Sequence, residues 1–80
     1  MGAAVQEYER KSKELIKEYK NLPYEQKRKE YKNYLRKEFE LYLECAEKLS
    51  DSREYLKDLF ELHLENEKKI YEILNHCIIF

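Results

Sequence analysis

At 80 residues, 42% apolar and 41% charged, the chain is long enough for one small core and too rich in Leu, Ile, Tyr and Phe to stay unfolded. A net charge of −1 withholds the broad positive field that marks most nucleic-acid-binding domains. One glycine and one proline exclude a glycine-rich phosphate loop and leave the backbone few places to turn.

The first helix is predicted over about residues 3–20. Val5, Tyr8, Ser12, Leu15, Tyr19 and Leu22 alternate three- and four-residue spacing, the seam of a coiled-coil-like helix. Asn21-Leu22-Pro23 ends it, because the residue before a proline is pushed out of the helical region. Pro23 then opens the second helix, where a missing amide donor costs nothing. That helix is predicted over about 24–49, with Tyr31, Leu35, Tyr42, Cys45 and Leu49 on its seam. Ser50-Asp51-Ser52 supplies capping oxygens, and Asp51 with Glu54 has the spacing of a capping box. The third helix, about 52–76, carries Leu56, Leu59, His63, Asn66, Ile70, Ile73 and Cys77 on one seam. Phe60, Leu64, Tyr71, Leu74 and Ile78 form a second stripe beside it, which predicts contact with two neighbours. Short connections force antiparallel packing. The predicted fold is all-α, one domain over 1–80: an antiparallel three-helix bundle with a short first helix and a hairpin of two longer ones.

In this register Ser12, Tyr34 or Leu35, and Asn66 fall at one height, a polar layer that fixes alignment. His63 reads as a hydrogen-bonded core histidine facing Glu38. His63 with Glu67, and Glu72 with His76, have the four-residue spacing of a metal pair, but a stable site needs three or four ligands. His76 and Cys77 point about 100° apart and cannot form a nucleophile–base pair. Neither enzyme activity nor a cofactor is expected. Cys45 and Cys77 lie about 30 Å apart along the hairpin at 1.5 Å per residue, too far for an intramolecular bridge, so both are expected as buried thiols.

The longest apolar stretch, Cys77-Ile78-Ile79-Phe80, is far short of the roughly 20 residues that span a bilayer. No basic-then-apolar leader opens the chain, and Gln6 stands where a myristoylation signal needs Ser or Thr. A soluble, cytoplasmic protein is expected. Its excess of Glu and Lys leans toward the composition of heat-adapted proteins.

Two features point to function. Counted from Pro23, the first helix reaches only to about residue 41 of the second, which leaves an uncovered apolar tip. Tyr42, Cys45, Leu49, Tyr55, Leu56, Leu59 and Phe60 are the candidate interface there, for a second copy or a partner helix. Charge is also segregated. Residues 10–37 hold eleven Lys or Arg and four Glu, whereas residues 38–67 hold ten Asp or Glu and three Lys or Arg. The tip is therefore acid-rimmed. The alternative is nucleic-acid binding by Lys27, Arg28, Lys29, Lys32, Arg36 and Lys37. Against it, the interleaved Tyr31 and Tyr34 fall on the core stripe.

Overall fold

A computed structural model describes residues 2–78, with side chains through residue 76, as three helices: α1 (Ala3–Lys20), α2 (Tyr24–Lys48) and α3 (Arg53–Ile78). They form the expected antiparallel bundle, 44 × 17 × 16 Å overall. The side chains of Cys77 and Ile78, assigned above to the two stripes of α3, lie outside the described residues, as do Ile79 and Phe80.

Each turn follows from its residues. Asn21 keeps helical dihedrals, and its N–H reaches the carbonyls of Lys17 (3.1 Å) and Glu18 (3.2 Å). Pro23, at φ −59° and ψ 152°, then redirects the chain, and its carbonyl accepts the Lys27 N–H at 2.9 Å. Tyr19 clasps this turn from within, donating its hydroxyl to the Lys27 carbonyl at 2.9 Å. At the other turn, Leu49 closes α2 through N–H bonds to Cys45 and Ala46. Ser52 takes the N-cap of α3, its carbonyl accepting the Leu56 N–H at 3.1 Å. The Asp51–Glu54 box is thus one residue out of register, because the position three beyond Ser52 is Tyr55.

The core has two apolar lobes with a polar layer between. Toward the α2–α3 turn, Val5, Tyr8, Cys45 and Leu59 are buried together, packed by Leu41, Tyr42, Ala46, Leu49 and Leu62. Toward the Pro23 turn, Tyr19, Tyr34 and Ile70 form the second lobe with Leu15, Ile16, Leu22, Tyr31, Leu35 and Ile73. Tyr19 and Tyr34 meet with ring centroids 4.9 Å apart.

The expected reach of α1 requires correction. The Cys45 thiol donates to the Ala4 carbonyl at 3.4 Å, and Lys48 pairs with Glu7 at 3.7 Å. The first turn of α1 therefore lies beside the last turn of α2, and α1 covers it to its end. Counting from Pro23 alone omitted the offset that the Asn21–Pro23 connection adds. The two stripes of α3 also differ from expectation. The seam is buried or half-buried along its described length, whereas Phe60, Leu64 and Tyr71 of the second stripe are exposed, Phe60 and Tyr71 reaching Tyr42 and Tyr31 of α2 from the rim; among the described residues of that stripe Leu74 alone is buried.

Candidate functional site

The polar layer is built from all three helices. Glu38 of α2 is 0% exposed. One of its carboxylate oxygens accepts the Tyr8 hydroxyl from α1, and the other meets His63 Nδ1 from α3. Asn66 donates to the Tyr8 hydroxyl at 3.1 Å, and His63 Nε2 lies 3.1 Å from Glu67 Oε1. Among the described residues no buried side-chain polar atom lacks a partner. A carboxylate taken out of water costs several kcal/mol, and this one is held by donors from two other helices. Burial raises the Glu38 pKa, while the Tyr8, His63 and Asn66 contacts oppose that rise.

The pairing of His63 with Glu38 is as expected, but the rest of the layer is not. Ser12 turns to its own helix, donating to the Glu9 carbonyl at 3.2 Å. Tyr34 donates to Glu18 at 3.0 Å and belongs to the lobe beyond. Tyr8, read only as a packing residue, supplies the link from α1.

His63 also supports an aromatic surface. Its ring stacks on Tyr42 at 4.5 Å and 20°, with Phe39 at 5.6 Å and Phe60 at 6.2 Å. Around these rings, on the outer side of the α2–α3 groove, stand Phe39 (45% exposed), Leu43 (48%), Phe60 (47%) and Leu64 (48%). None of the four belongs to either core lobe. Farther toward the Pro23 turn, exposed Tyr71 rests on Tyr31 at 6.4 Å. Large apolar side chains gathered on one face of a small protein mark an interaction surface.

The interface residues named from the sequence separate into three groups. Cys45 and Leu59 are buried in the core, Leu59 completely, so neither is available to a partner. Burial also pushes the Cys45 thiol pKa up. Tyr42, Leu49 and Leu56 are half-buried; Phe60 and Tyr55 are exposed. Of these, Tyr42 and Phe60 lie on the aromatic face, 6.2 Å apart. Phe39, Leu43 and Leu64 complete that face and were missed as interface residues, although Phe39 with Leu43, and Phe60 with Leu64, have the four-residue spacing of one helix face.

The basic stretch is divided as well. Lys27 is buried, and Lys37 sits 4.8 Å over the Tyr34 ring, whereas Arg28, Lys29, Lys32 and Arg36 are exposed. Tyr34 is buried and Tyr31 half-buried, so neither ring stands open to stack a base.

Tyr8 and Tyr34 give the site an alkaline signature. Burial first, and then the hydrogen bonds to Glu38 and Glu18, raise both phenols above their ordinary value of 10.0. A raised folded-state pKa gives stability that is complete below 10.0 and lost as pH climbs toward the folded value. The melting temperature is therefore expected to fall above pH 10, and less steeply in Tyr8→Phe. Melting curves at pH 9 and pH 11 test this; equal slopes in the two proteins would contradict it.

Among the described residues no group of three or more His, Cys, Asp and Glu is placed to hold a metal ion, and no helix is long and apolar enough to cross a membrane. No protein-family model, curated protein or solved structure matches the chain.

Proposed function

We propose that this protein is a small, non-enzymatic helical interaction module that self-associates through the outer face of α2 and α3. The exposure of Phe39, Leu43, Phe60 and Leu64, with Phe39 and Phe60 both set against the His63 ring and each leucine one helical turn beyond a phenylalanine, carries the reading. The buried Glu38–His63 layer holds the two helices in register beneath that surface, so it is presented as a rigid platform.

A second copy of the chain is the occupant that charge favours. The basic segment 10–37 and the acidic segment 38–67 lie toward opposite ends of the bundle, and the apolar face falls within the acidic segment beside its border with the basic one. A two-fold axis through this face, perpendicular to the bundle, runs the copies antiparallel and brings the acidic α2–α3 turn of each toward the Lys32–Arg36 part of the other's basic segment.

Leu64→Lys places a charge on the face without touching either core lobe. It is expected to turn a dimer into a monomer with the helical circular-dichroism signal unchanged. Sedimentation velocity of the variant beside the native protein reads the outcome. Retention of the dimer in Leu64→Lys would sink the assignment of this face.

A further inference from the structure

Along α2 one exposed ridge carries Lys32, Arg36, Phe39, Leu43 and Glu47 in that order. At about 100° per residue all five fall within roughly 80° of arc. Two cations are followed by two apolar side chains and an anion, and Asp51 stands in the turn beyond. Turned end for end, such a ridge sets anions against cations and apolar side chains against apolar ones. It is therefore complementary to its own antiparallel copy, as a two-fold interface between identical chains requires. The ion pairs that α2 makes within the chain lie on its other flank, where Glu44 and Lys48 meet Lys11 and Glu7 of α1. Among the described residues Lys32, Arg36 and Glu47 have none.

The contact of Glu38 with His63 fixes how α2 and α3 align across their groove, and the same register sets Leu41 level with Phe60. A two-fold axis crossing the bundle at that level lays Phe39 on Leu43 of the second copy, Phe60 on its own counterpart and Leu64 on Leu56. All four exposed apolar side chains of the face are then covered. Arg36 comes within one residue of Glu47 of the second copy, and symmetry makes that contact twice. An axis running along the bundle would instead lay α2 on α3 of the second copy and carry Lys32 toward Lys68, a like-charge contact that opposes docking.

We infer that the second copy docks with its α2 antiparallel to this one, and that two symmetry-related Arg36–Glu47 pairs set the register and select an identical chain as partner. The inference rests on self-association through the α2–α3 face. It adds the direction, the helix at the centre and the residues that choose the partner.

The test is sedimentation velocity of the full chain in three forms: native, Arg36→Glu and Glu47→Arg. Each substitution replaces two unlike contacts in the dimer by two like ones, and each is expected to weaken association about tenfold or more. Both positions are exposed, so the helical circular-dichroism signal is expected to stay unchanged. An equal mixture of the two variants is expected to dimerise again, because every contact between positions 36 and 47 in the mixed pair is once more unlike. Undiminished dimers of both single variants, or a mixture that stays monomeric, would overturn this register and leave the face itself to the Leu64→Lys result. A native protein that is monomeric at every concentration would overturn both.

Discussion

Replacing Glu38 by alanine is expected to lower the free energy of unfolding by about 3–5 kcal/mol, the order of loss when a buried carboxyl is removed and its hydrogen-bond partners are left unsatisfied. The cause is what remains behind. The Tyr8 hydroxyl, His63 Nδ1 and the Asn66 amide stay in the core without the carboxylate that joined them. A chain of 80 residues has only about 4–12 kcal/mol of stability in total, so this single change brings the bundle to the edge of unfolding. Glu38→Gln should lose much less. Its amide oxygen still accepts from Tyr8, and its amide N–H can donate to a neutral His63 ring. Urea denaturation followed by circular dichroism separates the two. Equal losses in the two variants would mean that packing volume, rather than the hydrogen-bond network, holds the layer together.

Leu59→Lys is expected to abolish folding, in contrast to Leu64→Lys, which spares it. The two positions are five residues apart on α3, yet one is 0% exposed and the other 48%. Loss of a buried leucine side chain alone costs about 2–5 kcal/mol. An ammonium placed among Val5, Tyr8 and Cys45 adds a desolvation cost with no carboxylate aimed at it. Circular dichroism at neutral pH should show a largely unfolded Leu59→Lys chain. A helical, cooperatively melting Leu59→Lys protein would place that residue at the surface and contradict the core described above.

Much of the fold was legible because breakers are so few. Pro23 and the Ser50–Ser52 cluster mark both turns, and between them the three- and four-residue spacing runs unbroken. A hairpin pivoting near residue 51 puts Cys45 opposite Leu56, and the same register sets Glu38 opposite His63, which is why that buried pair could be read in advance. Tyr8 could not, since a tyrosine on a seam packs its ring whatever its hydroxyl finds. Periodicity also misled at α3. It shows which residues share a face, and Phe60, Leu64 and Tyr71 do, but not whether a neighbour covers them. In a bundle of three, α1 lies against one side of the α2–α3 hairpin and leaves the other side open. The same offset that carried α1 up to Cys45 buried Cys45 and Leu59 of the expected interface and left Tyr55 and Phe60 exposed.

The charge pattern was fully legible, but its use depends on geometry. Arg28, Lys32 and Arg36 are exposed on the side of α2 that continues into Phe39 and Leu43, whereas Lys27 is buried.

Light scattering of the native protein across a concentration series tests the self-association of the α2–α3 face most directly. The expected result is a mass twice the 10.0 kDa of the chain, held into the low micromolar range and loosened by salt as the opposed charged ends are screened. A mass of 10.0 kDa at every concentration would show that a second copy does not close this face.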